Sequence, residues 1–342
     1  MISKTIQYNP KLEKSRLICP LNRIMSEFFF SLVDYRNNYF TSNDPNKIIE
    51  FYNGFENRDQ LIQWMKERPK GVANIYEVEG DKDIIVVIPT ADFNGKYARE
   101  CRDNIFKGLH IVFVESGGKG DFYFNYAHNC NVGIRRAMEY NPKWVIVSND
   151  DMTYIDPPGK LKTELDNVNY DQDILFCTET RYHSYKLWIS RIRYIYFIRM
   201  RFSKNSYYPK LLKAFAVEYA AVGEYTSSLS IRLYNNLYFK KIFWIWQIGS
   251  FGIFSSRYIL QLNENIFDET YINHMEDLDL SLRFFLTDAK IGFINYNIRD
   301  IIGGTIGKGD LRKLRSISSQ AYFEYKNQEN LRDYRNLEPW IK

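Results

Sequence analysis

Short, wholly apolar runs punctuate the first half of the chain, and each stops abruptly in polar residues. Ile84 to Thr90 (IIVVIPT), His110 to Glu115 (HIVFVE) and Val145 to Val147 within KWVIVSNDD are rich in β-branched side chains. Unbroken runs of this kind predict strands buried on both faces, the pattern of a parallel sheet, whereas a half-solvated strand alternates. Between the runs, apolar residues recur at helical spacing. Asn94 to Phe106 can form one helix, and Asn125 to Tyr140 another, with Ala127, Cys130, Ile134, Ala137 and Met138 on one face. Strand, helix and strand in this order predict an α/β sheet that receives a ligand at the carboxyl edge of its strands.

The ends of these strands carry the candidate chemistry. The central run stops in Asn149, Asp150 and Asp151. Two carboxylates at the carboxyl end of a buried strand suit a divalent metal, and the same residues suit a tight turn. The preceding run ends in Glu115 and the glycine-rich SGGKGD, which lets backbone approach a ligand closely or serves the turn alone. It is not a Walker phosphate loop, because Phe113 and Gly120 stand where that motif needs a glycine and a hydroxyl residue. No GxGxxG follows the first strand, so a dinucleotide is not favoured.

Upstream, residues 1–80 read as a mainly helical extension. Its clearest helix begins at Asn57, a good cap, continues through Leu61, Trp64 and Met65, and is stopped by Pro69 and Gly71. The charged run from Glu77 to Asp83 marks the start of the main domain at about 81. With 342 residues, 25% charged and 17% aromatic, the chain is long enough for a sizeable core and unlike a disordered protein. A net charge of +5 gives little reason to expect nucleic acid. Cys19, Cys101, Cys130 and Cys177 form no CxxC pair, which predicts reduced thiols rather than a zinc site or disulfide framework. The longest uncharged apolar run, Ile242 to Ser256, falls short of the roughly 20 residues that span a bilayer. With charges interrupting the amino terminus in place of a secretory signal, the expected location is cytoplasmic.

IIVVIPT, VES, HNCNVGIRRA and VIVSNDD, in that order and spacing, resemble the nucleotide-binding half of family-two glycosyltransferases of GT-A fold. The resemblance implies a Rossmann-like central mixed sheet with flanking helices over residues 81–310. A nucleotide-sugar half would span 81–155, a basic and aromatic middle 156–245, and an acceptor half 246–310, followed by a tail at 311–342. It also implies that Thr90, Glu115, Asn131 and Asp150 contact the nucleotide sugar. Asp151, with Asp150, would hold Mn²⁺ or Mg²⁺ on the diphosphate. Two departures stand out: Glu115 replaces the usual Asp, and Asn149 occupies the first place of the DxD-like motif, which leaves open which carboxylate holds the ion.

The second half carries the same likeness. IGSFGIFSSRYIL followed by NIFDETYINHMEDLDLSLRF resembles the family's acceptor-side signature, a small-residue turn and then an acidic pair opening a helix. The residues also have a direct reading: Leu278, Leu282, Phe285 and Leu286 form a stripe, and Glu276 and Asp277 fall at the helix amino end, where the dipole favours ionised carboxylates. Asp277 is the expected general base, with Glu276 its nearest competitor; acids in a first helical turn are also ordinary helix chemistry. Asp300 stands where the family often has a histidine facing the metal, and it is a hard oxygen donor. Gly303 to Gly309 reads as a mobile loop near the site.

Together with these features the resemblance implies transfer of a sugar from a nucleotide diphosphate to a hydroxyl of a glycan, glycolipid or lipid-linked acceptor, with inversion as the family's expected outcome. A nucleotidylyltransferase would need a glycine- and arginine-rich loop after the first strand, and TADFNGKYAR does not supply one. A silent glycan- or nucleotide-binding protein on the same fold is the other alternative. Between the halves, residues 180–217 lack any acid and carry Arg181, Lys186, Arg191, Arg193, Arg199 and Arg201 among aromatics; Trp188, Ile192, Ile195 and Tyr196 could line one helix face. This mixture suits the anionic inner face of a membrane, an oligomer contact, or a core helix with snorkelling arginines. If it is a membrane surface, the protein co-sediments with vesicles rich in anionic lipid at low salt and is released at high salt. Absence of binding at low salt returns the stretch to protein contacts.

Overall fold

The computed structural model describes residues 6–7, 35–116, 122–154, 156–169, 171–177, 185–191, 219–222, 245–287, 289–301 and 310–332. Its centre is a mixed eight-stranded sheet. Taken along the chain, the strands of this sheet and its accessory ribbons are β1 (Ile6–Gln7), β2 (Asn74–Val78), β3 (Asp81–Thr90), β4 (Leu109–Glu115), β5 (Trp144–Ser148), β6 (Met152–Tyr154), β7 (Ile174–Cys177), β8 (Tyr185–Arg191), β9 (Tyr219–Val222), β10 (Ile245–Gln247), β11 (Phe251–Ser255), β12 (Ile291–Ile294) and β13 (Ile298–Asp300). The order across the sheet is β1-β2-β4-β3-β5-β11-β7-β12. β3 runs parallel to both β4 and β5, as the unbroken apolar runs predict, while β11 enters antiparallel between β5 and β7. Ile85, Val86, Val87, Ile111, Val112, Val145 and Ile146 are inaccessible to solvent on both faces of this centre.

Helices α1 (Pro45–Asn53), α2 (Arg58–Glu67), α3 (Lys96–Glu100), α4 (Tyr126–Met138), α5 (Pro158–Asp166), α6 (Ser256–Gln261), α7 (Glu276–Leu286) and α8 (Asp310–Arg332) flank the sheet. Asn57 caps α2 by accepting from the Gln60 amide at 3.0 Å. Asn125 caps α4 in the same way from His128 at 2.8 Å. Both caps fall where the sequence places them. The expected helix from Asn94 instead starts at Lys96 and widens at Cys101–Ile105 into a π-helical turn.

Three expectations differ from the structure. The sheet begins before residue 81, because β2 pairs antiparallel with β4 from Asn74 to Val78; the charges of Glu77 and Glu79 mask that strand in the sequence. Residues 311–332 form a long helix in place of a tail, with Leu314, Ile317 and Ala321 buried against Ile48, Tyr52, Leu61 and Trp64 of the amino-terminal helices. Thus α1, α2 and α8 make one helical layer. In the middle segment, Tyr185–Arg191 is a strand between β9 and β10 rather than part of a helix, as aromatic and β-branched side chains favour extended backbone. The remaining basic residues of 180–217 lie outside the described residues.

The α7 stripe also reads differently in three dimensions. Leu278 and Leu282 pack into the helical layer, Leu280 and Phe284 pack against the sheet side, and Leu286 is 39% exposed. α7 is therefore wedged between two cores. No helix among the described residues is long and apolar enough to cross a membrane.

α4 sits directly on the parallel strands, and Gly133 allows it to. A Cβ there would lie 2.4 Å from Val87 Cγ1 and 2.9 Å from Val114 Cγ2. Gly133→Ala should lower stability by about 1–3 kcal/mol through overpacking, measured by urea unfolding. The opposite sign, the ordinary gain of alanine in a helix, would mean that α4 can move off the sheet.

Candidate functional site

The carboxyl ends of β3, β4 and β5 bring Thr90, Glu115 and the Asn149–Asp151 turn to one edge of the sheet. Thr90 Oγ1 donates to Asp150 Oδ2 at 2.8 Å, a buried bond between neighbouring strand ends. The Cys101 thiol, on the π-helical turn, donates to the Asp150 carbonyl at 3.2 Å. Burial, then the Asp150 and Asp151 charges, push that thiol far above its ordinary range, so it serves as a neutral donor. Glu115 Oε2 accepts from the Phe93 amide at 2.9 Å, which ties it to the loop after β3.

Asp151 is held differently. β13 pairs with β6 so that Asp300 lies opposite Met152, and the Ile301 amide donates to the Asp151 carbonyl at 2.7 Å. This short ribbon returns Asp300 to the acidic turn. Burial raises the Asp300 carboxyl above its ordinary range, the Asp151 charge adds to the rise, and Ser250 opposes it. Two acids crowded in this way suit a divalent ion. Among the described residues no three His, Cys, Asp or Glu side chains converge as a complete metal cage. The pair therefore fits the kind of site in which Mg²⁺ or Mn²⁺ takes one or two protein carboxylates and completes its shell with substrate phosphate and water.

A second pair of acids opens α7. Met275, just before the helix, has φ of 72°, in the left-handed region that bulky residues seldom adopt. This turn sets Glu276 and Asp277 on the first helical positions, where unpaired backbone N–H groups favour negative charge. The two acids have different surroundings. Glu276 is buried, one of its oxygens has no hydrogen-bond partner among the described residues, and burial together with the Asp277 charge raises its carboxyl to about 8. Asp277 is half-buried, and its Oδ1 accepts from the Leu278 amide at 2.8 Å. Burial therefore favours the protonated form of Glu276. His274, half-buried beside them, is lowered to about 4 by burial and Arg312, so its imidazole is neutral.

Tyr126 joins the two sides. From the first turn of α4 its hydroxyl donates to Asn149 Oδ1 at 2.9 Å. Burial, a hydrogen-bonded contact with Cys130 and the charges of Glu276 and Asp277 push its own ionisation far up, so it remains a neutral phenol. Tyr126 reads in sequence as an ordinary residue after a cap, and only its contact with Asn149 singles it out.

Other acids of the second half have structural partners. Asp279 accepts from Tyr271, Lys326 and Asn327; Asp268 accepts from Tyr322 and Lys326. Asn131 is likewise spent: its amide donates to the Phe267 carbonyl at 2.8 Å and to Glu269 Oε1 at 3.0 Å, and accepts from the Phe267 amide. It tethers α4 to the 267–269 turn, away from Thr90 and Asp150 in its bonding. The glycine-rich segments 117–121 and 302–309 lie outside the described residues. No protein-family model matches this chain, and no curated protein does so either.

The Glu276 environment has a measurable consequence. In the unfolded chain this carboxyl ionises near 4.5, whereas the folded protein holds the proton up to about 8. Between those values the folded state carries the extra proton, so this group makes stability fall as pH rises, and its contribution levels off above the folded value. Urea midpoints between pH 5 and 8 should therefore fall less for Glu276→Gln than for the wild type. Equal slopes would mean that Glu276 ionises in the folded protein as it does in water.

Proposed function

We propose that this protein is a metal-dependent, inverting glycosyltransferase of GT-A fold that moves a sugar from a nucleotide diphosphate to an acceptor hydroxyl. The observation that carries the reading is the convergence of two acidic groups on one edge of the sheet. Asp150 and Asp151 sit at a strand end, Glu276 and Asp277 sit at a helix end, and Tyr126 bonds Asn149 beside the first group and lies within the field of the second. The mixed sheet with a parallel centre supports the fold assignment, since open α/β sheets take ligands outside the carboxyl ends of their strands.

In this reading Glu115 and Thr90 lie on the nucleotide side, with Asp150 oriented by Thr90. Asp151 and Asp300 would hold the ion, which would supply positive charge to offset that of the leaving diphosphate. Asp277 removes the proton from the acceptor hydroxyl as that oxygen bonds to the anomeric carbon and the nucleotide diphosphate departs from the opposite face. Glu276, protonated and buried, does not compete as a base but keeps a second negative charge away from Asp277. Inversion follows from single displacement and requires no nucleophile from the protein. A glycan, glycolipid or lipid-linked acceptor is consistent with the basic and aromatic stretch at 180–217, which would lie against an anionic membrane surface.

A panel of nucleotide sugars with Mn²⁺ or Mg²⁺, scored by thermal shift and by released nucleotide diphosphate, tests the activity. With the donor so identified, Asp277→Asn should lower transfer by about a hundred- to ten-thousand-fold while sparing donor binding, the typical range of a lost general base. Asp151→Ala should instead remove the Mn²⁺-dependent part of that binding in calorimetric titration. Near-normal turnover in Asp277→Asn with loss in Glu276→Gln would transfer the base role to Glu276; retention in both would reject the mechanism.

A further inference from the structure

Arg312, Ser319 and Lys326 recur at seven-residue intervals, about two turns of α8, and so share one side of that helix. That side faces the segment leading into α7. Ser319 Oγ accepts from the Ile272 amide at 3.2 Å, and Lys326 bonds Asp268 and Asp279. Arg312, two turns nearer the start of α8, is exposed, and its charge reaches the two residues that flank Met275. It opposes protonation of His274 and offsets part of the rise at Glu276. Glu276 is 9% exposed, and its Oε2 has no hydrogen-bond partner among the described residues. The other cations of α8 have structural work: Lys326 neutralises two carboxylates, and Arg315 donates to the carbonyls of Phe40, Thr41 and Ser42. A cation beside a general base favours its ionised form and so weakens it as a base. An acceptor whose own negative charge rests on the Arg312 guanidinium would remove that handicap.

We infer that Arg312 is a specificity-determining residue that binds a phosphoryl group of the acceptor, with His274 as a second donor. The inference rests on the proposed transferase reading and narrows its acceptor to a phosphorylated one. A guanidinium presents a planar fork of N–H donors that matches two oxygens of a phosphate, and an imidazole N–H can meet a third. Glu276, its proton retained by burial, adds no negative charge to oppose the anion. The hydroxyl that receives the sugar would then lie close to the acceptor's phosphate, because His274 and Arg312 adjoin the acids that open α7.

Proton NMR of the imidazole C–H signals of the full chain, without metal, tests this; the chain has four histidines, and His274→Gln assigns the one concerned. Inorganic phosphate at neutral pH should move the His274 signal in a saturable way. Arg312→Gln should weaken that affinity about ten- to a hundredfold, the worth of a charge-assisted hydrogen bond, and Arg312→Lys less because the charge remains. Acetate should move the signal less, and an equal response to acetate would overturn the phosphoryl assignment. Glucose 6-phosphate in the same titration and co-sedimentation with phosphatidic acid vesicles, each repeated in Arg312→Gln, separate a soluble from a lipid-borne phosphate. Dependence on Arg312 in either upholds the inference, and dependence in neither overturns it. Calorimetric titration of UDP, GDP, CDP and dTDP with Mn²⁺ should give the same affinities in wild type and Arg312→Gln, which excludes a folding defect. An arginine that only supports the fold would lower the unfolding midpoint and leave the phosphate affinity as it is. No saturable shift in wild type, or an equal one in Arg312→Gln, with nucleotide binding intact, would overturn the inference alone. Wild type binding none of the four nucleotide diphosphates would remove the transferase reading and the acceptor role with it.

Discussion

The position of α4 is the constraint on which the rest of the site depends. Its middle is pressed onto Val87 and Val114 at Gly133, too closely for a side chain. Its carboxyl end is held at the far edge of the sheet, where Arg136 donates to Glu77 Oε1 at 2.6 Å and Tyr140, just beyond the helix, to Glu77 Oε2 at 2.6 Å. Its amino end is held by Asn125 and Asn131, which bond the backbone of Phe267, Glu269 and Tyr271. A helix fixed at three points along its length has little freedom to slide. That rigidity puts Tyr126 between the strand-end acids of one half and the helix-end acids of the other.

Contacts from the end of α2 and from α8 brace the segments around α4 and α7. Arg68, buried at the close of α2, donates to Asn37 at 2.8 Å and to the Phe122 carbonyl at 2.7 Å, and so secures the segment that leads into α4. At the other end, Lys326 of α8 bonds both Asp268 at 2.7 Å and Asp279 at 2.8 Å. A buried carboxylate left without its cation is costly, so α8 is required by the acids it neutralises as much as by its apolar stripe. α1, α2 and α8 are thus parts of the scaffold that packs against α7.

Burial differentiates groups that are chemically alike. Glu276 and Asp277 are adjacent acids on one helical turn, yet one is enclosed and keeps its proton while the other reaches a more open position. Asp150 and Asp151 are also adjacent, but Thr90 bonds the first and the β6–β13 ribbon brings Asp300 to the second. In each pair the two acids have different surroundings, and for Glu276 desolvation and the neighbouring charge favour the protonated form.

The sequence by itself determined the parallel centre of the sheet, the helices that flank it and the caps at Asn57 and Asn125, because these follow from local periodicity and from short side chains that bond nearby amides. It also marked Asp150, Asp151, Glu276, Asp277 and Asp300 as acids in suggestive places. It did not reveal β2, whose charges hide its pairing with β4, or the helical layer made by α1, α2 and α8, since contacts across some two hundred and sixty positions, such as Tyr52 to Leu314, leave no local pattern. Nor could it separate Asn131 from the strand-end residues, for an asparagine that tethers a loop and one that meets a ligand look identical in a sequence. Only the tertiary structure decided that Tyr126 meets Asn149, that Asp300 returns beside Asp151, and that Glu276 is more enclosed than Asp277. Those outcomes depend on burial and on long-range approach, which spacing along a chain does not encode.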